Sequence, residues 1–293
     1  GSPSERTIAR YRRLAEGGWG ILYLEAIAPD ERGKARPGQM VISKNNLDSF
    51  RRLTDAIRAA APIAPPLIIF QVNHAGRYAL EPTLSYHNDL LDPTWNIPPD
   101  MPEASTEELD RAAAASADAV KLCANAGADG ADLKCCHGYL AAELLRPANT
   151  RTDKYGGSLD NRMRFLAEMA AAAMTVAGKD FFFGSRISLF EGLPGGIGSG
   201  DGDPPGFEQG ELVPVVKALQ DSGAAFICET MGIPYHRPEL VRPWRKHDDA
   251  DAITGSHYVM AAFVKRNFPA LTVIGAGYTV PGKDFPVRAA ENI

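Results

Sequence analysis

The chain has 293 residues with 31 Lys and Arg against 36 Asp and Glu, a formal charge of −5, which leaves no basic footprint for nucleic acid and no polybasic patch for a membrane surface. No apolar run approaches the length of a membrane span, and the N-terminus shows no signal-peptide apolar region. The size and the 45% hydrophobic content suit one barrel-sized domain over residues 1–293 rather than two. Cys123, Cys135, Cys136 and Cys228 lack zinc-type or disulfide-framework spacing and read as reduced thiols of a cytoplasmic protein.

In chain order, the pattern alternates strand and helix. A helix over Ser4–Glu16, with Ser4 as its cap, precedes a strand over Gly20–Ala28. Helical apolar spacing covers Asn46–Ala60 and stops at Pro62, Pro65 and Pro66, after which Leu67–Val72 is a short apolar strand. Ser105 and Glu108 stand in capping-box register ahead of a helix over Thr106–Ala124 that ends near Gly127. Then come strand Ala131–Lys134, helix Asn161–Val176, strand Phe181–Leu189, helix Gly210–Asp221 and strand Ala225–Glu229. Helix Tyr258–Asn267, strand Leu271–Gly275 and helix Lys283–Asn292 complete the series. Pro- and Gly-rich stretches at 80–104, 192–210 and 232–256 are longer than ordinary connections, which marks them as functional loops.

Six strands each followed by a helix, with one unpaired helix in front, imply an α/β protein with a parallel sheet. A closed (β/α)₈ barrel needs eight strands, so the economical reading is a TIM barrel lacking its first strand and its last strand-helix unit. An open six-stranded fan would expose two parallel edges, which favours association with another copy or with further strands.

His137-Gly138-Tyr139-Leu140 follows directly on a buried strand, and fifteen positions from Arg151 to Phe165 read RTDKYGGSLDNRMRF. These residues resemble the Old Yellow Enzyme family of flavin-dependent ene-reductases, with its relatives the dienoyl-CoA reductases and trimethylamine dehydrogenase. The resemblance implies a TIM barrel holding FMN, reduced by NAD(P)H, that passes hydride to an activated alkene of the α,β-unsaturated carbonyl type. It also places the missing strands at the two ends of the chain. Larger relatives add an iron–sulfur cluster and a second dinucleotide domain, which would lie beyond Ile293.

The resemblance assigns Tyr139 as the proton donor to the substrate carbon, a role a neutral phenol can fill. It places His137 and Lys134 on the polar pair that grips the substrate carbonyl. Many relatives carry a histidine where this chain has Lys134, a flexible full cation instead of a planar donor. Lys134 could instead pair with Glu25 or Glu229. Gln71, whose amide both donates and accepts, is assigned to the flavin pyrimidine edge, and Arg186 to the flavin N1–O2 edge. Ala26 matches a backbone approach to the flavin, and Gly275-Ala276-Gly277 offers amides that could reach a phosphate. His74 and Arg77 either bind substrate or pin their loop. His236 resembles the loop histidine of the dienoyl-CoA reductases, with a plain surface histidine as the other reading. His87, His247 and His257 read as structural, and the run from Arg242 to Asp251 as a solvated loop.

Other chemistries compete. An oxidative amine demethylase would use the same flavin. A metal hydrolase could recruit His74, His137 and His236, but neither a His-x-His nor a bridging carboxylate accompanies them. A Schiff-base lyase could use Lys134 as its nucleophile. The small-molecule flavoenzyme reading alone accounts for Gln71, Arg186 and Tyr139 together.

Overall fold

The computed structural model describes residues 1–178, 180–200, 202, 205–242, 250–278 and 291. Helix α1 (Glu5–Glu16) starts at Ser4, whose side chain accepts a hydrogen bond from the Thr7 amide. Strand β1 (Ile21–Ile27), helix α2 (Leu47–Ala60) and strand β2 (Leu67–Val72) follow. Helix α3 (Thr106–Asn125) opens on the Ser105/Glu108 capping box, both halves of which are formed. Strand β3 (Gly130–Leu133) leads into a short helix α4 (Leu140–Leu145) and then into α5 (Leu159–Val176). After these come β4 (Phe182–Phe190), α6 (Leu212–Asp221), β5 (Phe226–Met231), α7 (Pro238–Val241), α8 (Ala250–Asn267) and β6 (Thr272–Ile274). The sequence reading of a helix over Lys283–Asn292, of His247, and of most of the Arg242–Asp251 run falls outside the described residues.

Three helices escape the sequence patterns, among them the four-residue α7 inside the 232–256 stretch read as a loop. All six residues of α4 are buried, so no polar face alternates with an apolar one to reveal its period. Helix α8 starts at Ala250, eight positions before the expected Tyr258, through a stretch containing Gly255 that blurs the apolar spacing.

The six strands form one sheet in the order β1-β2-β3-β4-β5-β6, every neighbouring pair parallel. A doubly wound sheet reverses its strand order once, and this one never does. The sequential, curled arrangement with helical crossovers is that of part of a (β/α) barrel.

Period-2 alternation splits the strand side chains between two cores. Leu24, Ile68, Phe70, Val72, Ala131, Leu133, Phe183, Ile187 and Ile227 point outward and pack with the helices in the main core. Inward lie Ile69, Phe226 and Cys228, with Tyr23, Phe182 and Ile274 against them. Gly184 faces this inner layer because a Cβ there would collide with the ring and carbonyl of Phe226. Apolar rings thus plug the N-terminal end of the sheet interior. The next inward positions toward the C-terminal ends are polar: Gln71 and Asn73 on and after β2, Asp132 and Lys134 on and after β3, Arg186 on β4 and Thr230 on β5. That change from apolar to polar sets where the site is.

Candidate active site

At the C-terminal ends of the strands a cavity of about 450 Å³ is lined by Glu25, Ala26, Gln71, Asn73, Lys134, His137, Tyr139 and Arg186, with Arg36, Tyr235 and Arg242 at its margin. Two hydrogen bonds hold the segment beyond β3 in the sheet. The Cys135 amide donates to the Arg186 carbonyl (2.8 Å) and the Ser188 amide to the Cys135 carbonyl (3.1 Å). The chain then turns sharply, with His137 at φ 63° and Gly138 at φ 76°. A non-glycine residue in the left-handed region carries strain that the surroundings must maintain, and such residues gather at functional sites. Here a 3.3 Å hydrogen bond from the His137 amide to the Ser188 hydroxyl helps to hold it. Gly138 has no alternative: a Cβ would sit 3.1 Å from both the Tyr78 ring and the Arg146 guanidinium.

Behind the lining residues Gln71 and Arg186, the buried Asp132 carboxylate accepts from the Gln71 side-chain amide (2.5 Å) and from the Arg186 backbone amide. Burial pushes the Asp132 carboxyl up, against the pull of those hydrogen bonds. With its amide nitrogen committed, Gln71 leaves its carbonyl oxygen for the cavity. Arg186 donates through Nη2 to the Thr230 hydroxyl (3.2 Å), while its Nε is buried with no partner. The Thr230 oxygen also lies 3.1 Å from His137 Nε2. That oxygen has two lone pairs and one proton, so it accepts from Arg186 and can either accept from or donate to His137 Nε2, tying the ring to Arg186 in either tautomer. Burial, with Arg186 and Lys134 adding to it, holds the His137 pKa well below the ordinary histidine value, so the ring is neutral.

Tyr139 meets Tyr235 hydroxyl to hydroxyl at 2.9 Å, and burial raises its pKa, so the phenol keeps its proton. Tyr235 also stacks on Tyr78 (ring centroids 4.0 Å apart) and meets Trp95 edge-to-face (5.3 Å), completing an aromatic wall. Lys134 Nζ lies 4.4 Å over the Tyr139 ring. Burial lowers its pKa to about 8, opposed by Cys136 and Asp132 and reinforced by Arg186.

Two sequence-level pairings for Lys134 do not form. Glu25 is held by Arg10 (3.2 Å) and Arg36 (3.6 Å), and Glu229 by His257 (2.8 Å), so each carboxylate already has a counter-charge. Among the described residues no carboxylate lies within ion-pair distance of Lys134.

The cavity therefore unites Ala26, Gln71, Lys134, His137, Tyr139 and Arg186. The remaining candidates lie elsewhere. His74 is buried and accepts from the Gly76 amide through Nδ1 (3.1 Å). Arg77 is fully buried against Glu143 (2.7 Å), Asp92 and the Tyr86 carbonyl (2.6 Å). Both pin the loop after β2. The half-buried His236 is next to the residue that lines the cavity, Tyr235, but is not itself in the lining. Of the Gly275–Gly277 stretch, the Ala276 amide is donated to Glu229 (3.2 Å), and all three lie outside the lining. His74, His137 and His236 form no shared cluster, and among the described residues no group of three or more His, Cys, Asp or Glu is placed to hold a metal ion.

The sequence pass did not single out Asp132, Thr230, Tyr235 or Asn73. An aspartate inside the apolar run Ala128–Leu133 was the available signal, since a buried charge demands a reason. It also missed the buried chain Arg77–Glu143–Arg146–Glu191, in which Arg146 binds Glu191 through two nitrogens (2.8 and 3.1 Å). The Arg151–Phe165 run proves to be a clip. Arg151 holds Asp153 (2.6 Å) and the Ser85 carbonyl (2.7 Å), and Arg162 caps the Leu145 carbonyl (2.6 Å) and pairs with Glu211. Its work is to fasten α4 and the loop after β2 behind the cavity.

A family model described as the NADH:flavin oxidoreductase / NADH oxidase family matches residues 1–218. The chain belongs to that family. Membership brings FMN as cofactor, with NAD(P)H as electron donor. The NADH-dependent flavin oxidoreductase nadA of Aspergillus parasiticus is 34% identical over 206 residues, 67% of this chain and 46% of that protein. The NADH oxidase of Thermoanaerobacter brockii is 28% identical over 287 residues, 93% of this chain and 40% of that protein. The chain thus spans less than half the length of these two relatives. In fold it is similar to the old yellow enzyme homologue of Zymomonas mobilis, with a TM-score of 0.62 at 24% identity over 80% of this chain and 65% of that one. Among the described residues no helix is long and apolar enough to cross a membrane.

The cavity residues fit the family's cofactor. A buried guanidinium nitrogen without a partner among the described residues suits the edge of a planar ring that becomes anionic, and the Gln71 amide and the small Ala26 share its cavity.

Proposed function

We propose that the chain provides the flavin-binding core of an ene-reductase, in which NAD(P)H supplies the electrons that saturate an activated alkene. Arg186, Gln71 and the backbone at Ala26 would hold the FMN ring. FMN, when bound, supplies the hydride chemistry. The protein's own residues do the rest. His137, a neutral ring held by the Thr230 hydroxyl, would donate to the oxygen on which charge develops. Tyr139 keeps its phenolic proton until the carbon next to that carbonyl takes it, so hydride and proton together complete the two-electron reduction. Tyr235 donates to the Tyr139 oxygen as that proton leaves. The observation that carries this reading is the convergence of Gln71, Arg186, His137 and Tyr139 on one cavity at the strand ends. Among the described residues β1 and β6 each pair with one strand of the sheet, which supports the further proposal that additional strands close the barrel around this site.

The test is spectroscopic. The protein purified with added FMN should be yellow, bleach under NADH or NADPH without oxygen, and regain its colour on adding an enone. A protein that takes up no flavin, or one trapped as a borohydride-stable adduct on Lys134, would overturn the reading in favour of Schiff-base chemistry.

A further inference from the structure

Arg146 is outside the cavity lining and fully buried, yet it lies against the turn that carries Tyr139: a Cβ on Gly138 would meet its Nη2 at 3.1 Å. That turn is weakly held by its own bonds. His137 sits at φ 63°, and the amides of His137, Tyr139 and Leu140 reach their acceptors only at 3.3, 3.3 and 3.2 Å. The rest of its support has to come from the residues packed behind it.

Tyr139 opens α4 and Arg146 closes it. Arg146 grips Glu191, the residue after β4, through Nε (2.8 Å) and Nη2 (3.1 Å), and Glu191 also accepts from the Ile197 amide (3.0 Å). Arg146 Nη1 lies 3.6 Å from Glu143, which Arg77 holds at 2.6 Å. Arg77, Glu143, Arg146 and Glu191 are all without solvent exposure. Four such ions are a costly way to gain stability, because apolar side chains of similar volume often do as well or better. A guanidinium bonded through two nitrogens to one carboxylate adds direction instead, since paired hydrogen bonds fix angle as well as distance. Here they fix the end of α4 on the end of β4. The start of α4 is tied to Tyr139, whose carbonyl accepts from the Glu143 amide (2.8 Å).

We propose that Arg146 is a positioning residue for proton delivery, its contact with Glu191 keeping the Tyr139 hydroxyl turned to the cavity and paired with Tyr235. This rests on the reading of Tyr139 as the proton donor. The variant Arg146→Met/Glu191→Gln strands no charge and keeps an acceptor for the Ile197 amide. In the FMN-loaded protein it should slow reoxidation by cyclohexenone about 10²-fold, the cost of a small misplacement of a reacting group, and leave reduction by NADPH unchanged. In a Tyr139→Phe background the same two substitutions should slow reoxidation no further. Full-speed reoxidation, or a defect that multiplies with that of Tyr139→Phe, overturns the proposal. Arg146→Lys keeps the charge without the two-nitrogen contact; it should show the same pattern to a smaller degree and carries the test if the double variant does not fold. A second readout needs no turnover. In protein labelled with ¹³C at tyrosine Cζ, the resonance missing from Tyr139→Phe belongs to Tyr139, and it should shift in the Arg146 variants. An unmoved resonance also overturns the proposal. If Tyr139→Phe itself leaves reoxidation intact, the proton-donor reading falls, and the resonance alone decides whether Arg146 positions Tyr139.

Discussion

The hydroxyls of Tyr139 and Tyr235 are 2.9 Å apart although the two residues are 96 positions apart in the chain. One of the two must donate to the other. If Tyr139 gives its proton to substrate, the Tyr235 hydroxyl remains as the donor that stabilises the oxygen left behind. The pair is held by packing: Tyr235 stacks on Tyr78, and Tyr78 meets Tyr139 edge-to-face at 6.0 Å.

Tyr139→Phe should slow reoxidation by an alkene about 10²–10⁴-fold, the usual worth of general acid catalysis, while reduction by NAD(P)H is spared. Tyr235→Phe should slow the same half-reaction by a smaller factor, about tenfold, because it removes one neutral hydrogen bond. Stopped-flow absorbance of the two half-reactions checks both. Equal defects in the two half-reactions would place these tyrosines outside proton delivery.

Arg186→Ala removes the guanidinium with the unpartnered Nε and also unties Thr230 from it. FMN affinity should fall by about 1–3 kcal/mol, as for a lost charged hydrogen bond. Thr230→Val removes the hydroxyl that ties His137 to Arg186 and leaves the guanidinium in place, so it should impair substrate binding more than flavin binding. Fluorescence titration of FMN into the two variants distinguishes these outcomes.

Lys134 makes stability depend on alkaline pH. Burial lowers its pKa to about 8 from the ordinary 10.5, so the folded state disfavours the proton. The cost is full below about pH 8 and vanishes as pH rises past the unfolded value of about 10.4. Lys134→Met should therefore stabilise the protein by about 1–3 kcal/mol near neutral pH. The gap between variant and wild type should close between about pH 8 and about pH 10.5. Denaturant unfolding on both sides of that window measures it.

His257 works in the opposite sense. Its Nε2 donates to the Leu240 carbonyl at 2.7 Å, and one proton lies between Nδ1 and Glu229 Oε1 at 2.8 Å. Burial alone would lower its pKa, but the Glu229 carboxylate more than reverses this and the value is raised. Stability from the pair is full below the unfolded value of about 6.5 and is lost as pH rises through the folded value. His257→Ala should cost about 3–5 kcal/mol by stranding a buried carboxylate. It should also flatten the fall in stability above about pH 6.5, seen in urea unfolding across that range.

Local signals in the sequence are sound where one element decides its own structure. Leu67–Val72 is bounded to the residue because two prolines end what precedes it and four apolar residues run unbroken up to Gln71, the one polar position in it. Helix α3 begins where Ser105 and Glu108 say it should, since a capping box is a four-residue interaction. The strand-helix alternation is legible for the same reason, and with it the parallel sheet. The Gly138-Tyr139 turn and the Arg151–Phe165 run are short enough to be recognised as written.

What only the tertiary structure decided depends on residues far apart in the chain. Thr230 looks like an ordinary strand threonine until β5 sets it between Arg186, 44 residues away, and His137, 93 away. Arg77 has the composition of a substrate clamp, yet Glu143, 66 residues on, takes its guanidinium into the interior. Lys134 had two carboxylates within plausible reach by sequence. The fold supplies each with another cation, Arg10 and Arg36 for Glu25 and His257 for Glu229, and leaves Lys134 facing the cavity, because pairing follows which helices and loops pack beside each strand end.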